Sequence, residues 1–316
     1  MTLAVGIGCF GVGVWLLVES VEGLVKAVRG WAAAAGISGV VLGALVLGFD
    51  VESTAAGVAA TLDDLPGTAL GTSVGAAIFL LTVGLGVAAL VAPFSVRTPP
   101  ALLGAAGAAT ALAIALSADG ALSRVDGALL ALAFPPLVAI LLRARRTPAP
   151  AADGDRPDRL ALRLGGGLVG LVVGAELLIF GTERVVDELA LSETVFGLLV
   201  VAAAVSFEEV VLESLPAYRG FPELSVGNAL GTLIFLLTAS LGVIVLVRPL
   251  AVPEGVVDFH LPALAVSALL AGGCSPAAIS RAPRESSCSW PTFSTWPGRS
   301  LSDDARLGRG RCLTPA

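Results

Sequence analysis

This sequence predicts an all-α polytopic membrane protein of two inverted repeats, each of about five transmembrane helices, with the tenth helix lost or replaced. Three observations lead there. The 316 residues are 56% hydrophobic and only 14% charged, with mean hydropathy +0.91, whereas a soluble domain holds about 25% charged residues. Two apolar stretches are copies at an offset of 156: Gly71 to Gly86 (GTSVGAAIFLLTVGLG) and Gly227 to Gly242 (GNALGTLIFLLTASLG), with Pro66 and Pro93 recurring as Pro222 and Pro249. The longest polar break, Arg143 to Arg159, rich in Ala, Pro, Asp and Arg, falls between the copies and reads as a linker.

Apolar runs predict helices over 3–26, 37–61, 68–92, 99–117, 125–144, 161–185, 191–216, 222–247 and 257–273. Turn or charge signals separate them: Arg29-Gly30, Asp63-Asp64-Leu65-Pro66, Thr98-Pro99-Pro100, Asp119-Gly120, Arg219-Gly220-Phe221-Pro222 and Pro253-Glu254-Gly255. The chain start, Met1 to Val18, has no basic flank or clear cleavage site and reads as a retained helix. The organisation is a first repeat over 1–144, a cytoplasmic linker over 145–160, a second repeat over 161–273 and an aberrant, disordered tail over 274–316.

Basic residues orient the spans. Lys26 and Arg29, Arg97, the arginines from Arg143 to Arg159, and Arg219 fall in alternate breaks and so share one side, the cytoplasm. Asp63, Asp64, Asp187, Glu188 and Glu193 fall on the other. The N-terminus is then outside the plasma membrane, and an odd number of helices per half inserts the second copy upside down. From Cys274 the text turns to Ser, Pro and Arg with no apolar span where symmetry expects a tenth helix. A frameshift explains this; a genuine disordered tail is the alternative. Cys9, Cys274, Cys288 and Cys312 fit no zinc spacing or disulfide scaffold. A single histidine, His260, at the start of the ninth helix, gives no basis for a histidine metal site or a Ser-His-Asp triad. No nucleic-acid partner is indicated. Gly165-Gly166-Gly167 follows no strand, so nucleotide binding is not indicated either, and no P-loop is present.

The candidate chemistry lies in the second and seventh helices. Asp50, Glu52 and Ser53 match Ser206, Glu208 and Glu209 at the same offset. An ionised carboxylate at mid-bilayer costs at least about 2.5 kcal/mol. Two matched acidic positions are therefore expected to face each other across a hydrated cavity and share a hard cation through oxygen ligands. The bland alternative places them at the interface, or protonated and hydrogen-bonded. Glu22 and Glu176, a second matched pair on the first and sixth helices, are read as gating or pathway residues, or as helix–helix hydrogen-bonding groups. Glu213, four residues past Glu209, is expected near the interface, or at the cytoplasmic mouth. Gly71, Gly75, Gly227, Gly231 and Gly165 to Gly167 are expected to permit close helix packing.

These elements resemble the sodium/calcium exchanger (cation/calcium antiporter) superfamily. Its repeats carry Gly-Ile-Ser, then Gly-Thr-Ser-x-Pro-Glu, then Gly-Asn-x-x-Gly-Ser-Asn-Ile-Phe. Here stand Gly36-Ile37-Ser38 and Ala190-Leu191-Ser192, then Gly48 to Ser53 and Ala204 to Glu209, then Gly71 to Phe79 and Gly227 to Phe235. The resemblance covers about residues 5–93 and 165–249. An ungapped count places the family glutamate at Ser53 and Glu209, with Glu52 and Glu208 at the proline; a local shift makes Glu52 and Glu208 the pair. Glu52 is favoured in the first half, the choice between Glu208 and Glu209 stays open, and the lost proline removes an expected helix break. Thr72 replaces the first asparagine of the third element in one repeat, and Asn228 keeps it in the other. The second asparagine is replaced by Ala77 and Leu233.

The resemblance implies a secondary cation antiporter, not an enzyme, without cofactors. Inorganic cations (Ca²⁺, Na⁺ or H⁺) would be held between Glu52 and Glu208 or Glu209, helped by Asp50, Ser206, Thr72 and Asn228, while the first and sixth helices slide. The missing asparagines also admit a non-transporting homologue with an incomplete site. A membrane-embedded enzyme is the weakest reading. Oligomeric state is left open.

Overall fold

The computed structural model describes residues 2–35, 38–143, 157–188 and 196–273. The expected linker up to residue 156, Gly36-Ile37, Ala190 to Ser192 and the tail from Cys274 lie outside the described residues, while the linker's last four residues, 157–160, begin a helix. All of the described chain belongs to one unit, Met1–Ser280. Its elements in chain order are α1 (Thr2–Ala35), α2 (Gly39–Val46), α3 (Val51–Leu62), α4 (Pro66–Val91), α5 (Pro100–Ser117), β1 (Ala121–Leu122) and α6 (Arg124–Arg143) in the first half. The second half holds α7 (Pro157–Glu188), α8 (Phe196–Tyr218), α9 (Pro222–Val247), β2 (Leu250–Ala251) and α10 (Leu261–Gly273), the last preceded by one π turn, Val256–His260. His260 is exposed within that turn, its Nδ1 3.0 Å from the Gly255 carbonyl oxygen.

Among the described residues, seven helical spans are long and apolar enough to cross a membrane, and the α10 segment is a shorter apolar one. The remaining expected helix, the seventh in chain order, is α8. Its 23 residues span about 34 Å at the usual rise, enough for a hydrocarbon core of about 30 Å, but it carries Glu208, Glu209 and Glu213.

Helix α1 is longer than its apolar run. It continues through Ala32 to Ala35, strong helix formers, so Lys26 and Arg29 lie on the helix and not in a break after it. It packs most extensively against α7. The seam is made of small residues at seven-residue spacing, Gly6, Gly13 and Ser20 against Gly167, Gly174 and Gly181. A methyl on Gly13 would fall 2.7 Å from the Leu178 backbone nitrogen, and one on Gly181 2.7 Å from the Gly6 carbonyl oxygen. Residue numbers rise along α1 as they fall along α7, so these equivalent helices run antiparallel. This is the inversion of the two repeats seen directly.

The second helix departs from expectation. It is two helices, α2 and α3, separated by Leu47 to Asp50. The break expected to vanish with the proline is present because other residues make it. Ser38 caps α2, its Oγ accepting from the Val41 amide at 3.3 Å. Asp50 caps α3, its Oδ1 accepting from the Ser53 amide at 2.8 Å. Gly48 lies where any side chain would strike the backbone of α9, 2.7 Å from the Gly231 carbonyl carbon. The matching segment in the second repeat, through Ser206 and Glu209, stays helical within α8.

The third elements, α4 and α9, carry matched π turns, Leu80–Gly84 and Leu236–Ser240, at the offset of 156. In each, a threonine hydroxyl donates to the carbonyl four residues back: Thr82 to Ile78 at 2.7 Å and Thr238 to Ile234 at 2.5 Å. Such back-bonding competes with the helical ladder and loosens the turn. A further π turn, Gly71–Gly75, occurs in α4 alone. Helix α9 is the most buried span and forms the centre of the bundle. Its Gly227 and Gly231 meet Val40 and Ala44 of α2 backbone to backbone, as expected of small-residue packing. Gly71 and Gly75 do not: no atom lies within 4 Å of where their side chains would begin. Gly165 and Gly166 are equally open, while Gly167 packs on Leu24.

Loops that share an end of the bundle touch each other. At one end β1 pairs antiparallel with β2, and Arg248 lies 2.6 Å from Asp64. At the other, Arg219 donates to Glu22, Lys26 lies 3.6 Å from the same carboxylate, and the Arg29 guanidinium sits 3.6 Å above the Phe221 ring.

Gly231→Val is expected to destabilise the detergent-solubilised protein by about 1–3 kcal/mol through overpacking, read as a lowered unfolding midpoint. Gly71→Ala is expected to leave the midpoint within about 0.5 kcal/mol, the range for substitutions that touch nothing.

Candidate functional site

The acids named from the sequence come together around the break between α2 and α3. Asp50 closes the break as the cap of α3, and Glu52 stands in the first turn of that helix. Across from them, α8 carries Glu208 and Glu209 on consecutive positions. Glu208 is close enough to be acted on electrostatically by Glu52, Asp50 and Glu209, and Glu209 by Asp50 and Glu52. Glu176 of α7 acts on Glu52 in the same way. Among the described residues, the charges that act on this cluster are the negative ones of its own acids.

Glu208, Glu209, Asp50 and Ser206 are half-buried, whereas Glu52 and Glu176 are exposed. Among the described residues no three acidic, histidine or cysteine side chains converge closely enough to hold a metal ion together. The acids are gathered but not closed around a point.

The neutral candidates divide. Thr72 is half-buried and faces α3, 2.5 Å from where a side chain on Gly57 would begin, but its hydroxyl donates to the Ala69 carbonyl at 2.9 Å. Asn228 is 2% exposed, and its Oδ1 has no hydrogen-bond partner among the described residues. An unused amide oxygen inside an apolar helix costs about 1–3 kcal/mol unless a ligand or water takes it up. Glu22 is drawn away from Glu176 by Arg219 and Lys26, so the two members of that matched pair have different surroundings. The break itself is lidded by three rings, Phe49, Phe134 and Phe235, with centroids 5.2–5.7 Å apart.

Glu213 corrects the sequence reading. It lies five residues before the Tyr218 end of α8 but not on the bundle surface: it is fully buried, and among the described residues neither carboxylate oxygen has a hydrogen-bond partner. It faces Gly84 in the π turn of α4, so closely that a side chain there would overlap its carboxylate. The sequence signal was present in the spacing, since Ser206, Glu209 and Glu213 share one helix face. Its depth was not, because that depends on the glycine opposite.

A duplicated, inverted bundle of apolar helices with acids gathered at a helix break defines a polytopic membrane protein of the cation-exchanger type. The chain belongs to the sodium/calcium exchanger protein family, whose model matches residues 5–143 and 160–288. It is 32% identical over 259 residues to the inner membrane protein YrbG of Escherichia coli, covering 75% of this chain and 78% of that protein. It is 26% identical over 241 residues to the uncharacterized membrane protein MJ0091 of Methanocaldococcus jannaschii, covering 73% and 78%. Over a shorter stretch of 104 residues, 33% of each chain, it is 31% identical to the putative antiporter CaxA of Alkalimonas amylolytica. Its fold matches the solved sodium/calcium exchanger from Methanococcus jannaschii with a TM-score of 0.74 at 23% identity, covering 86% of this chain and 91% of that one.

Asp50→Ala is expected to destabilise the protein by about 1 kcal/mol through loss of the α3 cap, and Asp50→Asn by much less, because asparagine caps as well. Paired unfolding midpoints in detergent check this.

Proposed function

We propose that the chain is a secondary active cation antiporter in which Glu52 on α3 and Glu208 or Glu209 on α8 share the transported ion. The observation that carries this is the mutual electrostatic reach of Asp50, Glu52, Glu208 and Glu209, drawn from both repeats and without a basic neighbour among the described residues. Four carboxylates in an apolar span repel one another and are poorly solvated, so the site is stabilised by taking up a cation or protons. Either neutralises the cluster, so each excludes the other. That competition is coupling: the ion leaves only when its competitor arrives, and the opposing gradient drives the exchange.

The neutral oxygens of Asn228, Thr72 and Ser206 are the candidate additional ligands. The broken helix supports this role, since a break frees backbone carbonyls near a site. Family membership and the relative described as a putative antiporter support transport and not catalysis. Ca²⁺, Na⁺ and H⁺ are the candidate ions, and no cofactor is required.

Access is proposed to alternate through movement of α1 with α7. Their small-residue seam holds them to one another, while Glu22 with Arg219 and Arg29 with Phe221 tie α1 to the α8–α9 turn at one end. That end is assigned to the cytoplasm by its basic residues, which puts the N-terminus outside. The plasma membrane is the proposed location.

Reconstituted into liposomes, the wild-type chain is expected to exchange Ca²⁺ or Na⁺ against an opposing cation gradient. Glu52→Gln is expected to lower that flux to the level of empty liposomes. Flux unchanged by Glu52→Gln, or none from the wild type across a screen of cations, sinks the proposal.

A further inference from the structure

Glu213 is not explained by the carboxylate cluster. It lies one helical turn beyond Glu209, about 6 Å along α8 toward Tyr218. Its side chain is completely enclosed and both oxygens lack hydrogen-bond partners. The wall it meets is the π turn of α4, Leu80–Gly84, where Gly84 leaves room for the carboxylate. Neither that turn nor the rest of α4 after it, Leu85 to Val91, carries an ionisable side chain. Among the described residues of α1, α7 and α9, the other elements packed against α8, no ionisable group acts on Glu213. The one that does is Glu209 on its own helix, and it carries the same charge.

The position is also unsymmetrical. At the repeat offset Glu213 corresponds to Gly57, and Gly84 to Ser240. The π turns Leu80–Gly84 and Leu236–Ser240 are matched in the two repeats, yet one repeat carries a buried acid at this offset and the other a glycine. The scaffold therefore does not require it.

We propose that Glu213 is a proton-binding site, distinct from the carboxylate cluster, which passes protons between Glu209 and the Tyr218 end of the bundle. An ionised carboxylate with no counter-charge and no hydrogen bond is disfavoured by several kcal/mol in an apolar interior. A Ca²⁺ ion takes six or more oxygen ligands, and among the described residues no group of three acidic, histidine or cysteine side chains gathers at Glu213. A proton needs one carboxylate oxygen. Sharing a helix face, Glu209 and Glu213 form a two-step ladder. When a cation arrives at the cluster, Glu213 releases its own proton toward Arg219, and the carboxylate left behind takes the proton displaced from Glu209.

This rests on the exchanger reading for its transport consequence, but the site has a test of its own. Infrared difference spectra of the purified protein, recorded between neutral and alkaline pH, are expected to show a protonated carboxyl band. One component of that band should be lost in Glu213→Gln and retained in Glu52→Gln. A band unchanged by Glu213→Gln overturns the proposal, whether or not the protein transports anything. In liposomes loaded with a pH-sensitive dye, wild-type cation flux is expected to move protons the other way. Glu213→Gln is expected to keep cation flux within about threefold of wild type, about 0.65 kcal/mol in barrier, while proton movement per cation falls to baseline. Unchanged proton movement in that variant, or cation flux without any proton movement in the wild type, also overturns it. Loss of all flux in the wild type sinks the exchanger reading alone, and the infrared result still decides Glu213.

Discussion

Negative charge without positive charge is the constraint around which this bundle is arranged. Asp50, Glu52, Glu208 and Glu209 act on one another, with Glu176 at the margin and Glu213 one turn away. The basic side chains stand elsewhere, at the helix ends, where Arg219, Lys26 and Arg248 pair with Glu22 and Asp64. A protein selected for stability alone would pair a buried acid or replace it with an apolar residue, which is often neutral or stabilising. Keeping the acids unpaired makes the occupied state depend on something arriving from outside, and that dependence is what an exchanger uses.

Duplication supplies the scaffold, and divergence supplies the direction. The antiparallel α1–α7 seam and the matched π turns with their threonines are shared by both halves. The site is not. One half breaks its helix at Gly48 and caps it with Asp50; the other runs unbroken through Glu208 and Glu209. Gly227 and Gly231 lock α9 against α2, while Gly71 and Gly75 touch nothing. A strictly symmetrical site would present the same chemistry to both sides. Placing Glu213 in one half and Gly57 in the other makes the two exits chemically different.

The repeat, the helix order and the acidic positions were legible because each rests on local pattern: an offset of 156, apolar runs of span length, and charge where lipid disfavours it. The helix break was misread for a specific reason. Proline was taken as the only cause of a break, although Asp50 followed three residues later by Ser53, with Gly48 just before, is itself a start signal for α3. The extension of α1 past Lys26 was hidden because charge was taken to end a span, whereas alanines carry the helix on. The packing of Gly71 and the depth of Glu213 were not legible at all. Each depends on what lies opposite, and two glycines of identical spacing, Gly71 and Gly227, meet open space in one case and the Val40 carbonyl in the other.

The same contrast bears on how the bundle can move. Helices α1 and α7 meet through backbone, with Gly13, Gly174 and Gly181 leaving no side chain to separate them, so sliding one past the other would drive carbonyls into Cα atoms. Contacts of α1 with α2 and α8 are much sparser. At the Arg219 end they rest on a carboxylate shared by two cations and on a guanidinium over a ring. Surface ion pairs contribute about 1 kcal/mol or less, and an exposed cation–π contact about the same. The strong seam is therefore inside the α1–α7 pair and the weak one around it. A load applied at the acids would move the two helices together before it parted them, and Glu176, carried on α7 beside Glu52, would travel with the pair.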